Sequence, residues 1–153
     1  MSKENKIIDE TTGREIVSAR IFNWPRELVF KAWAEPGLLM QWWGPKGFTN
    51  TFHEFDFRES GKWYFTMHGP DGTDYHNGIV FKKIEKPGLI IFDHLKPMHK
   101  FQVTASFEEI GDKTRLIFRM LFETVDECEE VKKYVIEANE QNFDRLETVL
   151  SNM

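Results

Sequence analysis

Asp126–Leu150, DECEEVKKYVIEANEQNFDRLETVL, runs without a proline or a glycine. Val131, Val135, Ala138, Phe143, Leu146, Val149 and Leu150 mark one apolar face along it, as in a helix packed on one side against a core. At 1.5 Å per residue such a helix is roughly 35–40 Å long. That length lets it cross a strongly bent sheet.

Upstream of this helix the apolar period drops to two. Lys62–His68 alternates Trp63, Phe65 and Met67 against Tyr64, Thr66 and His68. Phe101–Glu108 and Thr114–Phe122 behave alike, the latter with Leu116, Phe118 and Met120 on one side. Alternation of this kind predicts half-buried strands. Phe48–Arg58, Tyr75–Ile84 and Leu89–His94 complete a run of six. The breaks between them are short: Glu59-Ser60-Gly61, Gly69-Pro70-Asp71-Gly72, Lys86-Pro87-Gly88 and Ile110-Gly111-Asp112. Proline presets φ and Asp-Gly tolerates positive φ, so these segments read as turns. Strands joined by such turns form an antiparallel meander.

A seventh strand is predicted earlier, over Arg14–Trp24, and Pro25 ends it. Leu28, Val29, Ala32 and Trp33 then fall at helical spacing, with Pro25 suited to the first turn. Pro36-Gly37 breaks that helix, and a second short one spans Leu38–Trp43 before Gly44-Pro45 and Gly47. The predicted class is therefore α+β: a bent seven-stranded antiparallel sheet around a long C-terminal helix, with two short helices after the first strand. One helix must cover the apolar face of the whole sheet, and a sheet of that width curls around it. Curling leaves a wedge-shaped gap near the strand ends, which predicts a cavity.

Length and composition fit one domain. The chain has 153 residues, 41% hydrophobic and 29% charged, ordinary values for a globular protein able to bury a core unaided. Residues 1–12 are expected to fray, and 13–153 to form a single domain. Aromatics reach 14%, with 14 Phe and 5 Trp, which suits either a bulky core or a lined cavity. The net charge of -5, with no Lys/Arg run longer than two, argues against a nucleic-acid partner. Cys128 stands alone, so no intrachain disulfide is expected, and its acidic neighbours Asp126, Glu127, Glu129 and Glu130 mark an inert thiol. Met1–Glu10 lacks an apolar stretch of signal-peptide type, and the longest apolar runs, such as Leu89–Phe92, fall far short of a membrane span. The expected location is the cytoplasm.

One segment carries a family resemblance. Pro36–Thr49, with Leu38-Leu39 and Trp42-Trp43-Gly44-Pro45-Lys46-Gly47-Phe48-Thr49, resembles a signature of the activator of heat-shock protein 90 ATPase homologues. That family lies within the START-like (SRPBCC, Bet v 1-like) superfamily. Glu54–Arg58, Gly61-Lys62-Trp63, Met67–Gly72 and Asp144-Arg145-Leu146 agree with it, so the similarity spans about Arg14–Leu150. The resemblance implies a helix-grip fold with a hydrophobic cavity. It implies no single activity, since such relatives include lipid carriers, cyclases, self-resistance proteins and chaperone regulators. The eukaryotic chaperone activators use a separate N-terminal domain for their main contact, which is not seen here, so strong ATPase stimulation by this chain alone is not expected. Two departures stand out. Many relatives carry Trp where this chain has Asn139, with Asn142 three residues on, and Gly-Gly often replaces Ser60-Gly61.

The candidate ligand-binding residues are Trp43, Glu54, Trp63, Phe65, Met67, Tyr75, Phe118, Met120, Asn139 and Asn142. Trp43, beside Trp42 and Trp33, is the candidate lid. Asn139 and Asn142 neighbour each other on one helix face, and buried amides require a ligand or water partner. Tyr75, Asn77 and Thr66 are candidate polar wall groups. Glu54 and Asp56 lie two apart on one strand and form the best available acid–base pair, although Phe52 shares the face of Glu54. His53, His68, His76, His94 and His99 lack metal-ligand spacing, so no metal and no cofactor are expected. The leading reading is a protein that binds an apolar or aromatic small molecule, in stress response or resistance. The alternatives are a cyclase- or hydrolase-like enzyme working in the same cavity through Glu54 or Tyr75, and a chaperone-regulating interaction domain. A monomer or homodimer suits each.

Overall fold

The computed structural model describes residues 13–153; the segment expected to fray, residues 1–12, lies outside them. The elements run β1 (Glu15–Phe22), α1 (Arg26–Ala34), α2 (Pro36–Trp42), β2 (Thr49–Phe55), β3 (Lys62–His68), β4 (Asp74–Glu85), β5 (Leu89–Lys96), β6 (Phe101–Ile110), β7 (Lys113–Phe122) and α3 (Val125–Ser151). Their order in the single sheet is β1-β7-β6-β5-β4-β3-β2, with every pairing antiparallel. The six later strands form a meander, and β1 returns beside β7. Only the β1–β2 connection is long, and it holds both short helices. This is the α+β arrangement the periodicities predict and the helix-grip fold that the resemblance implies.

β2 ends three residues earlier than its alternation suggests, and a bulge explains its mixed faces. Phe52 pairs Phe65, but Glu54 pairs Tyr64, so His53 is an extra residue. An inserted residue resets the inside-outside parity. Phe52 and Phe55 therefore both pack on Trp63, with ring centroids 5.5 and 5.7 Å away. The expected Glu54/Asp56 pair does not exist. Glu54 is exposed, and Asp56 lies beyond the strand, where Arg58 Nε donates to it at 2.8 Å.

The turn after β2 carries a local conflict. Ser60 has φ of 67°, a left-handed conformation that a Cβ disfavours by roughly 1–2 kcal/mol. Gly61 is required, since a Cβ there would run into the backbone carbonyl of Asp56. Ser60→Gly should relieve the first cost, offset by about 0.4–1 kcal/mol of extra unfolded-state entropy. The expected result is a small rise in the urea midpoint, equivalent to about 0.5–1 kcal/mol. A fall in the midpoint contradicts this account.

α3 begins at Thr124, whose hydroxyl accepts from Glu127 N at 3.1 Å. With Asp126 and Glu127 in its first turn, the start matches a capped helix whose dipole favours acidic groups. Arg20 on β1 locks the C-terminal half of α3. It donates to Glu140 (2.7 Å), Asp144 (2.9 Å) and Glu147 (3.1 Å), and lies 5.5 Å from the Phe143 ring centre. Burial along α3 is uneven. Asn139, Phe143, Leu146, Val149 and Leu150 are buried, as is Cys128 near the start. Between Cys128 and Asn139 the helix only half-buries Val131, Val135 and Ala138. There α3 packs only in part, through Val131 and Val135, and bridges a gap.

Candidate functional site

The gap under α3 is a two-chambered cavity. The outer chamber, about 320 Å³ and open to solvent, is walled by Phe48, Tyr75, Phe101, Phe122, Val131 and Val135, with Met98 and Tyr134 at its rim. Met98 and Tyr134 are 82% and 65% exposed, so the rim presents apolar surface to water. The inner chamber, about 140 Å³, is walled by Trp43, Phe92, Val103, Phe118, Asn139 and Asn142. Both chambers share Pro45, Met67, Asn77, His94, Phe101 and Met120. Alternation along β3, β4 and β7 puts Met67, Asn77 and Met120 on the inner face.

The loop after α2 closes the inner end. Arg145 on α3 holds it by donating to the carbonyl oxygens of Gln41 (3.0 Å), Gly44 (2.7 Å) and Pro45 (3.0 Å). No carboxylate pairs with Arg145 among the described residues, and burial pushes its pKa down. Gly44 allows the close approach. Its φ is 104°, and a Cβ there would sit 2.7 Å from Met67 Cε. Trp43 contacts Trp33, Trp42 and Trp63 with centroids 5.1–5.6 Å apart. It is thus the back wall of the inner chamber, not the lid over a mouth.

Polar groups are few and mostly engaged. Asn77 Nδ2 donates to Tyr75 O at 3.0 Å. His94 stacks on Phe101 at 4.3 Å, with Nδ1 3.0 Å from His99 O and Nε2 2.9 Å from Asn77 Oδ1. Burial pushes the His94 pKa down to about 4, against the pull of the His99 carbonyl. A neutral imidazole has one N–H, so it can donate to only one of the two oxygens. Asn139 Nδ2 donates to Ser18 Oγ at 3.1 Å and approaches Met120 Sδ at 3.6 Å. Asn142 Oδ1 is buried with no hydrogen-bond partner among the described residues. His99 Nδ1 lies 2.9 Å from Glu127 Oε2, which holds that carboxyl below its ordinary range.

The cavity brings together Trp43, Met67, Tyr75, Phe118, Met120, Asn139 and Asn142 of the residues expected from sequence. It leaves out four. Glu54 is exposed on the bulged edge strand. Trp63 and Phe65 face inward but are sealed in the core, each 1% exposed. Thr66 faces the other side, where its hydroxyl contacts His53 and His76. His94, absent from the expected ligand set, lines both chambers. Its signal was the parity of β5, which puts Ile90, Phe92 and His94 on one face.

His68 and His76 take different partners, Asp74 and Thr66. Among the described residues, no group of three or more His, Cys, Asp or Glu is arranged to hold a metal ion. Cys128 is buried, and burial raises its pKa. No helix among the described residues is long and apolar enough to cross a membrane.

A family model described as Activator of Hsp90 ATPase homolog 1-like protein matches residues 23–151. Solved structures resemble the whole domain. A protein from Arthrobacter aurescens is 23% identical with a TM-score of 0.85, covering 97% of this chain and 92% of that one. One from Nitrosomonas europaea is 20% identical with a TM-score of 0.84, covering 95% and 97%. The AHSA1 protein from Silicibacter pomeroyi is 21% identical with a TM-score of 0.74, covering 90% and 97%. At these identities the likeness concerns the fold. No curated protein matches the chain.

Proposed function

The chain belongs to the Activator of Hsp90 ATPase homolog 1-like family, and from that premise we propose that it binds an apolar small molecule between the sheet and α3. The observation that carries this reading is the stretch of α3 between Cys128 and Asn139. It spans a cavity walled by rings and methionines and meets the core only through the half-buried Val131 and Val135. A long apolar cleft with a few polar groups is the usual form of a small-molecule site. A carrier, sensor or resistance role is in keeping with such a cleft. No observation favours the catalytic alternative, since neither chamber is lined by a carboxylate among the described residues. Nothing here favours a chaperone-regulating surface either.

The test is a thermal-shift screen of aromatic and lipid-like compounds, backed by native mass spectrometry for co-purified molecules. A ligand at a hundredfold excess over its Kd stabilises by about 2.7 kcal/mol, which raises Tm by roughly 5–10 °C in a domain of this size. If no apolar compound shifts the melt and no small molecule co-purifies, the proposal fails.

A further inference from the structure

We infer that Thr51, His68 and Asp74 form a nucleophilic site on the outer face of the sheet, where Thr51 accepts an acyl group from a thioester. Met67 lines the cavity, so its neighbour His68 points to the opposite face. The site is therefore separate from the cavity and does not depend on a ligand there.

Strand register builds the array. His68 on β3 pairs directly with Asp74 on β4. On β2, Thr49 pairs His68 and Thr51 pairs Thr66, so Thr51 lies diagonally across from His68. Side chains on one face of adjacent strands meet at such positions. His68 Nδ1 lies 2.8 Å from Asp74 Oδ1, and His68 Nε2 lies 2.7 Å from Thr51 Oγ1. A hydroxyl within hydrogen-bond reach of a base, itself oriented by a third group, is the arrangement that activates a nucleophile.

The protons have one consistent placement when the imidazole is neutral. A carboxylate only accepts, so Asp74 holds the His68 proton on Nδ1. Nε2 is then a bare acceptor, and Thr51 donates its hydroxyl hydrogen to it. The hydroxyl of Thr66, one strand over, is a contrast. It is buried and lies between His53 Nε2 at 2.7 Å and His76 Nδ1 at 3.0 Å. Among the described residues no carboxylate contacts either imidazole, so neither tautomer is fixed. Thr51 is exposed, and the His68 and Asp74 side chains are 37% and 52% exposed. A solute can reach Thr51 from the open face.

That exposure also selects the electrophile. Water screens charge building on an acyl oxygen, so the site supplies a base but little stabilisation of that charge. The acyl group must arrive activated, and a thioester meets this because a thiolate departs readily. Thr51 Oγ adds to the thioester carbonyl carbon while His68 Nε2 takes the hydroxyl proton. The C–S bond then breaks, and the proton passes from His68 to the departing sulfur. The products are an ester on Thr51 and a free thiol.

The test incubates the full chain with S-phenyl thioacetate and follows acetylation residue by residue by peptide mass spectrometry. Thr51 is expected to react at least about tenfold faster than Thr73, an exposed threonine in the adjoining turn. His68→Ala and His68→Gln should each slow Thr51 by about a hundredfold, the lower end of what a general base contributes. Asp74→Asn should slow it at least about tenfold, because an amide N–H facing Nδ1 moves the imidazole proton to Nε2. Asp74→Glu should recover much of the rate, which a merely structural role of Asp74 does not explain. Thr51→Ser should stay reactive. Circular dichroism checks that each variant is folded. Acetyl groups confined to lysines overturn the site, as does a Thr51 rate no faster than that of Thr73 or one unchanged in both His68 variants. Apolar compounds should shift the melt of these variants as they shift wild type, so this site and the cavity reading fail separately.

Discussion

Trp63→Ala is expected to lower stability by about 3–5 kcal/mol, a large share of the total stability of an ordinary domain. Trp63 sits at the centre of the aromatic core and is 1% exposed. Its ring contacts Phe65 at 4.6 Å, Trp43 at 5.1 Å, Phe52 at 5.5 Å, Phe55 at 5.7 Å, and Phe81 and Phe92 at 6.1 Å. These neighbours come from the closing loop and from β2, β3, β4 and β5. Truncation removes one wall from each, and the surrounding rings are too stiff to collapse into the space. Trp63→Phe should be far milder, because the indole N–H has no hydrogen-bond partner among the described residues. Losing it leaves no new unsatisfied group. Urea unfolding of both variants decides the matter. If alanine costs no more than phenylalanine, Trp63 is not the hub the contacts describe.

Trp63 also marks the limit of what the sequence makes legible. Alternation assigns Trp63, Phe65 and Met67 to one face, and all three do point inward. A face has length, however, and the period carries no information about position along it. Trp63 and Phe65 are sealed among the rings of β2 and their neighbours, whereas Met67 reaches the open end and touches both chambers. The same limit applies to α3. Its apolar stripe was readable as one continuous face, but which turns pack and which bridge depends on the sheet curving away beneath them. The β2 bulge was hidden for another reason. A single extra residue leaves no compositional mark, and only the conflict between Phe52 and Glu54 signalled it. Turn chemistry, by contrast, was local, so the meander and its breaks were visible from Gly, Pro and Asp alone.

Asn139→Trp should abolish or weaken ring binding at least tenfold while leaving the domain folded. Asn139 is 5% exposed and forms part of the inner wall. An indole is much larger than a carboxamide, and the chamber before it holds only about 140 Å³. The new ring would occupy the space beside Phe118 and Met120 that a ligand ring would take. The stability effects oppose each other. Ser18, buried at 6%, loses its amide partner, at a cost of about 1–3 kcal/mol for an unsatisfied hydroxyl. Burying the apolar indole surface returns about 25 cal/mol per Å², so the net change should be small beside that of Trp63→Ala. Binding has no such compensation, because the site is filled. The measurement is the thermal-shift screen repeated on Asn139→Trp, with a urea melt as the control. Compounds that shift wild type by several degrees should leave the variant unmoved. Equal shifts in both proteins would mean that ligands bind elsewhere, and that the inner chamber is a packing defect under α3 rather than a site.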